Sequence, residues 1–302
     1  MAKIINFGSL NLDYVYAVEH FVRAGETLPS TDLQAFCGGK GLNQSIALAR
    51  AGAEVIHAGF TGEKDGRPLL DILTENGVNT SLIEKRPCPS GHAIIQVDKN
   101  GQNCILLHGG ANQTNSEEYV SRALSGFGAG DYLLMQNEVN LGAEIIKAAK
   151  DRGLAVILNP SPIDEKIHGF PLDLVDFLIL NEVEAAALCG INSPSGGGQL
   201  GDALTAKFPN TSIVLTLGNQ GSAYIDKAAR TPVSQAIIEI KVADTTAAGD
   251  TFTGYFFAGI MSGAPPADAL KTATAAAALA VSQNGAAVSI PTMAQVRSFL
   301  ST

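Results

Sequence analysis

Tyr132-Leu133-Leu134-Met135, then the helical pattern of Gly142 to Arg152, then Ala155-Val156-Ile157-Leu158 give strand, helix and strand within 27 residues, and this unit decides the fold. A four-residue apolar run has no wet face, so it reads as a strand covered on both sides, as in a parallel sheet between helix layers. The same signature recurs at Ile4 to Phe7, Val55 to Gly59, Phe177 to Leu180 and Ile213 to Leu217, with helical patterns at Gly41 to Ala51 and Arg67 to Asn76. Regular alternation of this kind predicts an α/β protein, a three-layer αβα Rossmann-like domain with a mostly parallel sheet, spanning 1–302 as one unit. Such sheets bind ligands beyond the carboxyl ends of their strands.

Two segments break the rhythm. Gly91 to Gly109 alternates apolar and polar residues on both sides of Asn100-Gly101, a hairpin signal, and Asp13 to Val18 alternates as well. They predict a small antiparallel β-sheet lid formed by about 13–35 and 90–109, which could cover a pocket or stand as a solvent-facing ribbon. Ser193-Pro194-Ser195-Gly196-Gly197-Gly198 reads as a surface loop.

The chain has 302 residues, 46% of them apolar, enough for a large core. Its 20 Lys and Arg against 29 Asp and Glu give a net charge of −9 with no basic run, which argues against a nucleic-acid partner. Cys37, Cys88, Cys104 and Cys189 form no C-x-x-C pair, so neither a zinc site nor a disulfide framework is indicated, and a reducing, cytoplasmic setting is expected. The N-terminus lacks signal-peptide features. No apolar run is long enough to span a bilayer as a helix; Thr272 to Val281 reads as a buried Ala-rich helix, so no membrane partner is expected.

The most informative motif is Asp244-Thr245-Thr246-Ala247-Ala248-Gly249-Asp250-Thr251-Phe252, small residues opening a helix over Thr251 to Met261. Small residues let backbone approach a ligand, and the unpaired N–H groups of a helix start attract an anion such as a transferring phosphoryl group. Ala247, Ala248 and Gly249 would form that anion hole, and Asp250 would stand where a general base is needed. Alternatively, Asp250 merely caps the helix. A second motif, Phe36-Cys37-Gly38-Gly39-Lys40-Gly41-Leu42-Asn43-Gln44, offers close backbone approach and the donors of Lys40 and Asn43. It is not a Walker loop, because Gly41 follows the Gly-Lys pair.

With both motifs present in this order, the chain resembles the ribokinase family of PfkB-type carbohydrate kinases. The resemblance continues through Asn11-x-Asp13, Gly25-Glu26-Thr27, Gly109-Gly110-Ala111-Asn112, Asn181-Glu182-x-Glu184 and Thr216-Leu217-Gly218, covering nearly the whole chain. It implies ATP-dependent phosphorylation of a sugar primary hydroxyl, D-ribose foremost, with another pentose, a ketose or a nucleoside as alternatives. A Rossmann oxidoreductase is disfavoured because Gly8 to Asp13 contains no G-x-G-x-x-G, and a non-catalytic sugar sensor because Asp250 is retained.

The family resemblance implies that Asn11, Asp13, Gly39, Lys40, Asn43 and Glu138 hold the sugar with Asp250 as base, although Asn11 could close a turn and Glu138 could be a solvated strand end. It implies that Asn181 approaches the ATP phosphates and that Glu184 holds magnesium through water, though a lone carboxylate there also reads as a helix-surface charge. Thr216, Gly218, Gly221, Gly249 and Thr274 would line the nucleotide site. Asp244, Thr246, Ala280, Gln283, Gly285 and Ser289 would enclose potassium; Asp244 could instead hydrogen-bond its own turn. A homodimer through the lid is expected on the same grounds. If Asp13 faces the sugar, strand alternation turns Tyr14 and Tyr16 away from it, while His92 leaves the sugar's identity open.

Overall fold

The computed structural model describes residues 2–194 and 196–301. In chain order its strands are β1 (Ile4–Phe7), β2 (Asn11–Ala17), β3 (Asp32–Gly38), β4 (Val55–Gly62), β5 (Asn79–Arg86), β6 (Gly91–Val97), β7 (Asn103–His108), β8 (Tyr132–Gln136), β9 (Ala155–Asn159), β10 (Phe177–Asn181), β11 (Ser212–Thr216), β12 (Ser222–Ile225) and β13 (Pro232–Gln235). The helices are α1 (Lys40–Arg50), α2 (Arg67–Glu75), α3 (Glu117–Ala123), α4 (Gly142–Asp151), α5 (Glu182–Cys189), α6 (Gly197–Lys207), α7 (Ala248–Met261), α8 (Pro266–Val281) and α9 (Met293–Leu300). Ser195 lies outside the described residues, and Gly197 and Gly198 open α6 where the sequence suggested only loop.

Nine strands form the main sheet in the order β13-β12-β11-β10-β9-β8-β1-β4-β5, parallel from β11 to β5 and closed by the antiparallel β12 and β13. Each central strand feeds two cores. Ile4, Leu134, Ile157, Ile179 and Val214 pack with residues of α1, α7 and α8 on one face. Ile5, Leu133, Val156, Leu178 and Ile213 pack with residues of α3 to α6 on the other. Burial on both sides is the reason these runs show no period-two polarity.

A second sheet, ordered β3-β2-β6-β7, rises from the carboxyl end of β1. Its outer pairs, β2–β3 and β6–β7, are antiparallel, while the middle pair β2–β6 is parallel. Strand β3 joins the sheet through its register with β2, Asp13 opposite Phe36 and Asn11 opposite Gly38. No helix among the described residues is long and apolar enough to cross a membrane.

Candidate active site

Helix α7 starts at Ala248, three residues earlier than the sequence suggested, with Ala247 in the left-handed region at φ 60°. Asp250 therefore sits within the first turn instead of ahead of it. Its carboxylate accepts hydrogen bonds from two successive side chains of α1: Asn43 Nδ2 donates to Oδ2 (3.0 Å) and Gln44 Nε2 donates to Oδ1 (2.9 Å). The carboxylate thus engages another helix and does not cap its own. At the turn, the Ala248 N–H points to the Thr245 carbonyl (3.3 Å) and the Thr251 N–H to Ala247 (2.8 Å). The N–H groups of Gly249 and Asp250 lie between these two committed donors.

Asp250 marks the border between two half-sites. On one side are the ends of β1 and β8. Here the glycines of the first motif have separate steric reasons: a Cβ on Gly38 would enter the Asp13 carboxylate, and one on Gly41 would enter the backbone of Gly8 and Ser9. Gly39 takes φ 92°, a conformation glycine adopts without strain. Burial, and then the neighbouring Glu138, push the Asp13 carboxyl up to about 6. Glu138 is also raised, by burial above all, while Lys40 and the Ser9 hydroxyl work to keep it charged. Ser9 donates to Glu138 Oε2, which also accepts the Lys40 N–H (3.2 Å). Burial disfavours the charge on Lys40, but Asp250, Glu138 and Glu184 outweigh it and raise its pKa. Asn11 is fixed by Asn112, whose Nδ2 donates to Asn11 Oδ1 (2.8 Å). Asn43 Oδ1 is buried with no partner among the described residues, an acceptor open to a donor.

On the other side a cavity of about 230 Å³ opens at the carboxyl ends of β9, β10 and β11, lined by their last residues Asn159, Asn181 and Thr216 together with Lys40, Glu184, Thr245, Ala247, Ala248, Gly249 and Asp250. Asn181 and Glu184 form a capping box: the Asn181 side chain accepts the Glu184 N–H (2.9 Å) and Glu184 Oε2 accepts the Asn181 N–H (3.0 Å). That commits one Glu184 oxygen and leaves the other, a fit for a contact through a metal's water shell and not for a chelate. Among the described residues no group of three His, Cys, Asp or Glu is placed to hold a metal ion. Gly218, Gly221 and Thr274 do not line this cavity. Gly221 serves the hairpin, where a Cβ would enter the Gln235 carbonyl, and Thr274 Oγ1 lies 3.5 Å from Ser222 Oγ.

Asp244 bridges two segments. Its Oδ1 accepts the N–H (2.9 Å) and hydroxyl (2.6 Å) of Thr246, and its Oδ2 accepts the Gly285 N–H (3.0 Å). Burial opposes its charge, but those donors hold its carboxyl below the usual value. It does close its own turn, as the simpler reading had it, yet it also reaches the loop after α8 that contains Gln283 and Gly285, with Ala280 at the end of α8 and the buried Ser289 close by in sequence.

Ser9, Asn159 and Gln136, all buried, carried no sequence signal, and Gln44 and Asn112 stood within motifs without a role of their own. Tyr14 packs edge-on to His92 at 6.4 Å, and the register puts both on the face of the second sheet opposite Asp13.

A carboxylate held by two amides, beside a lysine, a helix start and a cavity at the ends of parallel strands, suits phosphoryl transfer to a small polyol. The chain belongs to the pfkB family of carbohydrate kinases, whose family model matches residues 1–293. It is 34% identical over 298 residues to the ribokinase of Haemophilus influenzae, covering 97% of this chain and 96% of the relative. It is 30% identical to the deoxyribokinase of Salmonella typhi, covering 97% of each. The structure of Arabidopsis thaliana ribokinase complexed with ribose and ATP superposes with a TM-score of 0.88 at 31% identity, covering 100% of both chains.

Proposed function

We propose that this protein transfers the γ-phosphoryl group of ATP to the primary hydroxyl of D-ribose, giving D-ribose 5-phosphate and ADP. The observation that carries the reading is the Asp250 carboxylate, held through both oxygens between the polar pocket of Asp13, Asn43 and Glu138 and the cavity at the start of α7. Ribose hydroxyls each offer a donor and an acceptor, which matches Asn11, Asp13, Lys40 and Glu138 and the unpartnered Asn43 Oδ1. Asp250 takes the hydroxyl proton as the sugar oxygen bonds to the γ-phosphorus and the bond from that phosphorus to the β–γ bridging oxygen breaks, the electron pair leaving with ADP. The Gly249 and Asp250 N–H groups and the Lys40 ammonium face the charge on the transferred group. Magnesium carried with ATP supplies charge neutralisation of the phosphates, with Glu184 as its water-mediated holder. Asp244, Thr246 and the loop after α8 would hold a monovalent cation, whose charge would help orient the turn of Ala247 to Gly249.

The related ribokinase named with ribose and ATP supports this choice of substrates. The four unpaired thiols suit a reducing cytoplasm. The exposed apolar residues of the second sheet, with Leu106 68%, Ile105 56% and Leu33 51% exposed, support pairing with a second copy, with that sheet acting as a lid. The deciding experiment is a phosphorylation screen over ribose, 2-deoxyribose, fructose and nucleosides with ATP, read by mass spectrometry. Ribose should give the highest kcat/KM; preference for 2-deoxyribose or a nucleoside would overturn the substrate while leaving the kinase in place.

A further inference from the structure

We infer that Gln44 is a positioning residue for the base, and that a buried chain of amides, anchored on two backbone carbonyls, dictates which end of Gln44 meets Asp250. This rests on the reading of Asp250 as the base.

A side-chain amide has a donor end and an acceptor end, so a contact at one end constrains the other. The first anchor is the Gly41 carbonyl, which can only accept. Asn6 must therefore turn its Nδ2 to it (2.9 Å), and the same nitrogen donates to Ser45 Oγ (2.8 Å). Asn6 Oδ1 is left facing Gln136, which has to present Nε2 (3.1 Å). That nitrogen also donates to Gln44 Oε1 (2.7 Å), so Gln44 is forced to aim Nε2 at Asp250 Oδ1. The second anchor gives the same answer independently. Asn159 Nδ2 donates to the Ile179 carbonyl (2.9 Å), which turns Asn159 Oδ1 toward Gln44 Nε2 (3.2 Å). A reversed Gln44 would set its oxygen against the carboxylate, the Asn159 oxygen on one side and an NH2 against NH2 on the other.

The chain ends on His57, fully buried between Ser45 Oγ and the Gly8 carbonyl. The Gly8 carbonyl requires a proton on Nε2, leaving Nδ1 to accept from Ser45, whose oxygen in turn accepts from Asn6. Every polarity is consistent from Gly8 to Asp250. Because both ends of Gln44 are committed while Asn43 Oδ1 is unpartnered, Gln44 holds the carboxylate plane and Asn43 is free to exchange partners as the sugar arrives.

The test is Gln44→Met, which keeps the volume and removes the donor, measured with ribose and ATP beside wild type and Asp250→Asn. The expected result is a fall in kcat of about tenfold or more, the worth of a hydrogen bond to a charged group, with KM for ribose and for ATP within about twofold. A kcat near wild type overturns the inference, as does a loss explained by a smaller folded fraction. Should Gln44→Met not fold, the assigned Gln44 carboxamide signals in a nitrogen–proton correlation spectrum decide: they should move between wild type and Asp250→Asn, and coincidence in the two proteins overturns the inference. If Asp250→Asn turns over normally, the base reading fails first, and this is distinguishable from an active base that ignores Gln44.

Discussion

Asp13→Asn should stabilise the protein at pH 8 while disabling it. Burial, with Glu138 second, raises the Asp13 carboxyl from 3.8 to about 6. The folded state therefore binds this proton more tightly than the unfolded chain. The contribution is fully favourable below about pH 4 and is lost as pH rises through about 6. Above that, the ionised carboxylate costs on the order of 3 kcal/mol. Asparagine keeps the shape over Gly38 and cannot ionise, so at pH 8 it should recover most of that amount, several degrees of melting temperature for a protein of this size. At pH 4 the difference should shrink toward zero. Ribose kcat/KM at pH 8 should fall about 10- to 100-fold, because hydroxyls lose a charged acceptor. Differential scanning calorimetry at the two pH values, with steady-state kinetics, provides the measurement. A variant less stable than wild type at pH 8, or an equal shift at both pH values, would refute the reasoning.

Gly38→Ala places a Cβ 2.9 Å from Asp13 Cγ and closer still to Oδ2, so the carboxylate must move by roughly 1 Å. Ribose KM should rise about tenfold or more with ATP KM unchanged; unchanged ribose kinetics would show that Asp13 does not contact the sugar. In potassium, the initial rate should exceed that in a bulky organic cation at equal ionic strength, and Asp244→Ala should lose the difference. Equal rates in both salts would remove the cation, and a preserved response in Asp244→Ala would move it elsewhere.

The layered fold was legible because Ile4 to Phe7, Phe177 to Leu180 and their counterparts are buried on both faces, and a strand with no wet side leaves an unbroken apolar run. The hairpin at Asn100-Gly101 was legible from its turn chemistry. Strand β3 was not, since its residues from Asp32 to Ala35 are exposed and its place comes from pairing with β2. In the site, Asp250, Lys40 and Asn43 stood out through glycine-rich context. Gln136, Asn6 and Asn159 did not: with Gln44 they meet across as many as 130 positions of chain, and isolated amides at such separations leave no periodicity to read.

The central claim is that Asp250 removes the sugar proton, and the rate of ribose 5-phosphate formation by Asp250→Asn tests it most directly. The substitution keeps the side chain's size, although its NH2 then meets one of the two amide donors of Asn43 and Gln44, and ATP should still bind. A fall in kcat of at least ~100-fold is predicted, as for a lost general base; a kcat within a few-fold of wild type would contradict the account.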